Sequence, residues 1–118
     1  MDAVPARFTA ICVTALALPA QAAEKHLSGA EIAALLPTIV AVGDETRQTF
    51  AASGATTYVD RGRGTYGTWR VEGDRYCSQW PPERAWSCYT VSVDEDASTI
   101  TWTAQNGETI TDRISIKE

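Results

Sequence analysis

The sequence has few of the side chains from which catalytic and metal sites are usually built. It contains one histidine, His26, one methionine and three cysteines among 118 residues. A Ser-His-Asp or Cys-His arrangement needs a histidine held beside a nucleophile, and His26 stands near the start of the expected domain, in a stretch that we expect to be mobile. The spacings of an EF-hand, a phosphate-binding glycine loop and a zinc site are missing as well. We therefore predict a non-enzymatic protein with no metal and no cofactor.

An excess of basic residues is also missing. The formal net charge is −5 at pH 7, so nucleic acid is not an expected partner. One stretch of the chain has a local excess of positive charge, and all of its basic residues are arginines: Arg61, Arg63, Arg70, Arg75 and Arg84. We favour the interpretation that these are solvated strand positions paired with nearby carboxylates. The alternative is a surface for carboxylate or phosphate groups, which arginine contacts in bidentate fashion.

The chain has no apolar run long enough for a membrane-spanning helix, which needs roughly 20 residues. The apolar run at 8–18 is shorter than that and follows Arg7. It precedes Ala20-Gln21-Ala22, a small-x-small pattern of the kind that signal peptidase cleaves. We predict that residues 1–22 are a signal peptide and that the protein is periplasmic or secreted, with no membrane span in the mature chain.

The remaining residues, 23–118, predict a single β-rich domain with a core of modest size. Two cysteines, Cys77 and Cys88, remain in it. Export places them where disulfides persist, and one distant histidine does not complete a zinc site. The sequence therefore predicts a Cys77–Cys88 disulfide.

One short helix is predicted at the start of this domain. Ser28 and Glu31 have the spacing of a capping box, and Leu27 and Ile32 stand at the two positions of a hydrophobic staple. Pro37 is expected to end the helix. Because so short a helix does not persist alone in water, we expect its apolar stripe to lie against a sheet or to close the mouth of a barrel.

The rest of the chain reads as short strands separated by turn residues. The predicted strands are 38–42, 47–51, 56–59, 65–71, 75–80, 87–93, 99–104 and 109–116. Connections this short place consecutive strands side by side and antiparallel. The fold class is therefore mainly β, an antiparallel meander of seven to eight short strands that forms a small barrel or a bent half-barrel.

Alternation of apolar and polar residues assigns a face to each strand. One face is predicted to carry Tyr76, Ser78, Trp80 and Tyr89. Cys77 and Cys88 alternate with these residues, so the disulfide is expected on the outer surface. On the last strand the face expected to be apolar and buried carries Ile110, Ile114 and Ile116.

Gly67 interrupts a predicted strand two residues before Trp69. Glycine inside a strand often marks a bulge or a bend. We expect Gly67 to permit the sharp bend or bulge that closure of the sheet requires.

A longer pattern surrounds Gly67, namely Gly67-x-Trp69-x-Val71-x-Gly73-Asp74-x-x-Cys77 followed by Cys88-Tyr89. With the signal peptide and the Leu-Ser-Gly-Ala-Glu-Ile helix opening, it resembles a domain-of-unknown-function family of small secreted or periplasmic bacterial proteins. The resemblance covers most of the mature chain. It implies an exported β-rich fold and no assigned activity.

The segment 80–86 suggests a first binding hypothesis. It contains Trp80, two prolines, Arg84 and Trp86, and tryptophan and arginine are the side chains that most often anchor protein interfaces. Held by the disulfide, the segment is predicted to be a rigid hairpin tip that binds a protein or another envelope component through Trp86, Arg84 and Trp80. A secreted hydrolase inhibitor is one concrete form of this hypothesis.

The inward-facing aromatic residues suggest a second hypothesis. Trp69, Tyr76, Tyr89 and Trp102 could line the interior of a lipocalin-like carrier of a small apolar ligand. The alternative for the same residues is an ordinary packed core, because a domain of this size needs them to bury enough apolar surface.

Overall fold

A computed structural model describes residues 24–117. The predicted signal peptide, residues 1–22, lies outside the described residues and stays a prediction. The described part of the chain contains no helix that is long and apolar enough to cross a membrane.

Nine strands, one α-helix and one 3₁₀ turn make up the described chain. In order they are β1 (Glu24–His26), α1 (Gly29–Leu35), the 3₁₀ turn (Leu36–Thr38), β2 (Ile39–Val42), β3 (Thr46–Phe50), β4 (Ala55–Asp60), β5 (Arg63–Glu72), β6 (Arg75–Gln79), β7 (Ser87–Asp94), β8 (Thr99–Ala104) and β9 (Thr109–Ile116).

Strands β2 to β9 form a closed antiparallel barrel. Each strand pairs with the next along the chain, and β9 returns to pair with β2, with Ile39 opposite Ile116 and Val42 opposite Arg113. The predicted antiparallel meander of short strands is confirmed. It closes into a barrel of eight strands.

Strand β1 lies outside the barrel and was not predicted. It pairs with the end of β7, with Glu24 opposite Asp94 and His26 opposite Ser92. Strand β6 reaches only the beginning of β7, residues 87–89, so the rest of that edge of β7 is left for β1. All three β1 residues are exposed. Because β1 forms by pairing with the free edge of β7, its sequence shows no apolar alternation that could have predicted it. His26 lies in this strand, and not in a mobile segment as the sequence had led us to expect.

The helix covers one end of the barrel, as its capping box and apolar stripe predicted. The Glu31 backbone N–H donates to Ser28 Oγ, and Glu31 Oε1 accepts from the Ser28 N–H. Ile32 and Leu36 are fully buried. Pro37 lies in the 3₁₀ turn that follows the helix, so the helical path continues through this turn. Proline fits there because it occupies one of the first positions of the turn.

Gly29 fixes the helix to the β5–β6 turn. A Cβ at Gly29 would overlap the carbonyl oxygen of Gly73, and the Gly29 N–H donates to Asp74 Oδ1 at 2.7 Å. The start of the helix can therefore lie directly on the turn only because residue 29 has no side chain.

The densest part of the core lies next to the helix. Phe50 is fully buried, and its ring centroid lies 5.7 to 5.9 Å from those of Trp69, Tyr76 and Trp102. Two of these contacts are edge-to-face, a favoured arrangement of aromatic rings. Aliphatic residues from the helix and strands complete this layer: Leu27, Ile32, Leu36, Ile39 and Ile100.

Strand β9 is less buried than its pattern predicted. Ile114 packs against the core, but Ile110 and Ile116 are 57% and 72% exposed. The expectation that all three isoleucines are buried is wrong. Only the middle of β9 crosses the packed layer, whereas Ile110 and Ile116 lie at opposite ends of the strand and of the barrel.

Candidate functional site

The end of the barrel opposite the helix contains a cavity of about 430 Å³. Cavities of roughly 300–1,000 Å³ are the usual size for small-molecule sites. Its aromatic lining consists of Tyr58, Tyr76, Trp80, Tyr89 and Trp102. The other lining residues are Thr46, Gln48, Thr65, Ser78, Ile110 and Asp112. The barrel is thus packed at the helix end and open at the other.

The aromatic residues form a floor and walls. Tyr76 and Trp102 are buried, with ring centroids 5.0 Å apart, and they separate the cavity from the Phe50 layer. Tyr89 lies beside Tyr76, with centroids 6.2 Å apart. Tyr58 and Trp80 meet edge to face at 6.2 Å. A planar molecule in the cavity would therefore meet ring surfaces from several strands.

The position of Trp80 depends on Gly67. A Cβ at Gly67 would lie 2.7 Å from Trp80 Cε3 and 2.5 Å from the Gln79 carbonyl oxygen. The indole therefore lies directly against the backbone of β5, where any larger residue would collide with it. Sequence analysis assigned Gly67 to a bend, but the contact that requires glycine is this close approach.

Gln48 organises the polar side of the floor. Its Nε2 donates to Tyr76 Oη and to Thr56 Oγ1, both at 3.0 Å. Thr56 in turn donates to the Thr49 carbonyl oxygen at 2.8 Å. Burial raises the pKa of the Tyr76 hydroxyl, and the hydrogen bonds from Ser78 and Gln48 oppose this shift. Tyr76 is therefore neutral near pH 7.

Asp112 is the one carboxylate in the lining. Its Oδ2 accepts the indole N–H of Trp102 at 2.9 Å. Among residues 24–117, no lysine, arginine or histidine forms an ion pair with it. The cavity thus has one half-buried negative charge, oriented by a tryptophan of the floor.

Most of the predicted ligand-lining residues meet in this cavity. Tyr76, Tyr89 and Trp102 line it, together with Trp80. Trp69 does not, because it packs against Phe50 and its indole N–H donates to the Ala51 carbonyl oxygen at 2.8 Å.

The lining residues Gln48, Tyr58 and Asp112 were not predicted from the sequence. Each alternates in step with an inward-facing residue of its own strand: Gln48 with Phe50, Tyr58 with Thr56, and Asp112 with Ile114. A lone carboxylate within an alternating apolar face was the signal that could have identified Asp112.

The residues of the predicted hairpin tip do not form one surface in the structure. Trp80 turns into the cavity, where its indole N–H donates to Ser78 Oγ at 3.1 Å. Residues 81–85 are all exposed, Arg84 among them. The Arg84 carbonyl oxygen accepts from Gln79 Nε2 at 2.6 Å. Trp86 is half-buried on the outer face, with the Arg70 guanidinium carbon 3.8 Å from its ring centroid.

The predicted disulfide is confirmed and lies on the outer face of β6 and β7. Cys77 and Cys88 are directly opposite one another, and Arg70 is the partner of Cys77 on β5. Cys77 has no exposed surface. Glu72 also lies beside the two sulfurs, and these three residues are the one group of potential metal ligands in the described chain. Because both sulfurs are in the disulfide, they are not free to bind a metal ion.

A second groove of about 710 Å³ runs between the helix and β1. It is wider and more open than the cavity, and its polar residues include Glu24, Glu31, Asp94 and Glu95. Its acidic rim is partly neutralised by the ion pair between Lys25 and Glu31, 2.8 Å apart. We therefore place the candidate site in the barrel cavity.

Comparisons with protein-family models, with curated proteins and with solved structures found no match for this chain. The resemblance to a family of small exported proteins stays a prediction.

Proposed function

We propose that the protein binds a small, largely apolar, planar molecule in the cavity at the open end of the barrel. The observation that carries this proposal is the cavity of about 430 Å³ with five aromatic side chains in its lining. Ligand sites of this kind combine apolar and aromatic surface with a few polar groups that orient the ligand. Gln48, Ser78 and Asp112 are such groups here.

The packing of the barrel supports a binding role for the cavity. The Phe50 layer and the helix already supply a continuous core at one end. At the other end Trp80 rests on Gly67 and Trp102 is held by Asp112. Two large side chains with fixed orientations are what a binding site needs, because they lose little freedom when the ligand docks.

The proposed activity is binding without catalysis. The lining contains one carboxylate and no histidine, lysine or cysteine within residues 24–117. Burial raises the pKa of Tyr76, which keeps its hydroxyl protonated. These groups can orient a ligand, whereas general acid–base catalysis requires a group whose pKa lies near the working pH.

We further propose that the protein works in the periplasm or outside the cell. The Cys77–Cys88 disulfide supports this location, because disulfides persist in oxidising compartments and are rare in the cytosol. A carrier or sensor of small molecules in such a compartment fits both the barrel and the disulfide.

The proposal is tested by titrating the protein with N-phenyl-1-naphthylamine, an uncharged aromatic dye whose fluorescence rises in apolar sites. Thr65→Trp should block the cavity that Thr65 lines and weaken binding about tenfold or more. Thr68→Trp, on the exposed outer face of the same strand, is the matched control and should bind like the wild type. Absence of saturable binding to the wild type, or equal binding by both variants, would refute the proposal.

Recognition of a protein or envelope component by the hairpin tip is a second candidate function. It is supported by the five consecutive exposed residues 81–85 and by the Gln79 side chain that holds the Arg84 carbonyl. Inhibition of a hydrolase is one form of it. A photo-crosslinking residue at position 84 should then capture one specific component of an envelope extract, and the same residue at position 68 should not. Equal capture at both positions would count against this function.

A further inference from the structure

We propose that the ligand of the cavity is an organic cation, a molecule with an ammonium group attached to an apolar or aromatic body. This inference deepens the proposed function and depends on it. It combines three observations at the same place: an unpaired carboxylate, several aromatic ring faces, and N–H donors that are already used inside the protein.

The first observation is the charge of Asp112. It is the one charged side chain in the lining, and no basic side chain in the described residues forms an ion pair with it. Arg61, in the turn between β4 and β5, is engaged by Glu45 at 3.1 Å and by Asp60 at 3.5 Å. The side chain that donates to the Asp112 carboxylate is the uncharged indole of Trp102, so a ligand cation would supply a partner of opposite charge.

The second observation is the set of ring faces around the cavity. Two indoles and three phenol rings line it, and the face of an aromatic ring attracts a cation within about 6 Å of its centroid, tryptophan most strongly. Tyr58 and Trp80 form one wall, and Tyr76, Tyr89 and Trp102 form the floor and the opposite side. An ammonium group could contact more than one ring.

The third observation concerns the hydrogen-bond donors. The indole N–H of Trp80 is donated to Ser78, and that of Trp102 to Asp112. Gln48 Nε2 donates to both Thr56 and Tyr76. The side-chain N–H groups of the lining are therefore occupied, while the second oxygen of Asp112 remains as an acceptor. An anion would meet repulsion from Asp112 and would find hydroxyl groups but no free side-chain N–H donor, so the cavity disfavours it.

The position of Asp112 also fits a ligand that enters from the mouth. Its Oδ1 lies 3.2 Å from the point where a Cβ at Gly43 would stand. Because residue 43 is a glycine, there is space beside Asp112 Oδ1, and any side chain at residue 43 would reduce this space. Thr46 and Ile110 border the same region, and so do Asp44 and Arg113. Among the ion pairs of residues 24–117, none joins Arg113 to Asp112. The ammonium group would therefore sit near the rim with its apolar body directed toward the floor.

The experiment compares benzyltrimethylammonium with its uncharged shape analogue neopentylbenzene and with the anion benzenesulfonate, by calorimetry or by displacement of N-phenyl-1-naphthylamine. Wild-type protein should bind the cation about tenfold or more tightly than the other two. Asp112→Asn keeps an oxygen that can accept the Trp102 N–H but removes the charge. It should weaken cation binding about tenfold, so that the preference of the wild type for the cation over neopentylbenzene is lost. Glu95→Gln, in the exposed β7–β8 turn, removes the same charge elsewhere and should change neither.

The outcomes separate this inference from the proposed function. If the dye binds but the cation binds no better than its uncharged analogue, or equally well to Asp112→Asn, the ligand is not a cation and the cavity function stands. If the wild type binds neither dye nor cation, both proposals fail. The comparison of the three probes on the wild type decides the question even if Asp112→Asn does not fold.

Discussion

The indole of Trp80 lies against the backbone of Gly67, on the neighbouring strand. The close approach, 2.7 Å from the position of a Cβ to Trp80 Cε3, leaves no room for a side chain at residue 67. Gly67, which has no side chain, therefore sets the orientation of Trp80, which has the largest side chain of any residue type. That orientation places Trp80 against Tyr58 and makes it a wall of the cavity.

Gly67→Ala should displace Trp80 and deform the cavity. We expect a destabilisation of about 1–3 kcal/mol, as for other overpacked sites, and weaker binding of N-phenyl-1-naphthylamine. Denaturant unfolding and dye titration measure the two effects. Gly64→Ala is the matched control, because a Cβ there contacts only the side chain of Tyr66, which is 70% exposed. Equal effects of the two substitutions would show that the Gly67–Trp80 contact has no special role.

The secondary structure could be predicted from sequence because its signals are local. Turn residues and alternation located all eight barrel strands, with ends that differ from the structure by no more than two residues. The capping box located the helix. Closure could not be decided between a barrel and a half-barrel, because the pairing of β2 with β9 joins residues far apart in the chain. Strand β1 was not predicted, because it forms by pairing with the edge of β7 and not from a pattern in its own residues.

The candidate site was harder to predict because a ligand cavity departs from the rule that barrels are apolar inside. Tyr76, Tyr89 and Trp102 were identified because aromatic residues of shared parity indicate an interior face. Gln48 and Asp112 face the same interior but were not identified, because polar residues usually mark the solvent side of a strand; for Asp112 the parity shared with Ile114 was the contrary signal. Trp80 was predicted both on the face of Tyr76 and at the hairpin tip, and its contact with Gly67 could not be read from either residue alone.

Trp69 and Trp86 should differ sharply in their contribution to stability. Trp69→Ala removes an indole that packs on Phe50 and one of the two N–H groups that donate to the Ala51 carbonyl oxygen, the other being that of Gly54, so we expect a loss of about 3–5 kcal/mol. Trp86→Ala removes mainly the stacking of Arg70, which is worth about 0.5–1 kcal/mol at an exposed site. Thermal or denaturant unfolding measures both. A larger loss at Trp86 than at Trp69 would contradict this assignment of core and surface.

Cys77 and Cys88 should be oxidised in the purified protein. Intact mass after alkylation without reductant should show neither Cys77 nor Cys88 modified. Replacing both cysteines with alanine should cost about 3 kcal/mol, because the disulfide restricts the unfolded chain between β6 and β7. Two readily alkylated thiols on native protein would exclude the disulfide and weaken the case for export.

Asp94 should make the stability of the β7–β8 turn depend on pH in the acid range. Its carboxylate accepts the backbone N–H groups of Ser98 and Thr99 at 2.8 and 2.9 Å and the Ser98 hydroxyl at 2.8 Å. The hydrogen bond from the Thr99 backbone, followed by that from the Ser98 side chain, lowers the pKa of Asp94 from 3.8 to about 2. A carboxyl group with a lowered pKa in the folded state stabilises the fold above its unfolded pKa.

That stabilisation is fully present above about pH 4 and is lost as the pH falls through 2, since the folded and unfolded forms then bind the proton equally. Asp94→Asn should lower the unfolding midpoint at pH 7 and make its decline between pH 4 and pH 2 shallower than in the wild type. Glu95→Gln, one residue on and exposed, should keep the wild-type profile. Thermal melts of the three proteins across this range measure the difference. Parallel profiles for Asp94→Asn and wild type would mean that the hydrogen bonds of this turn do not favour the ionised carboxylate.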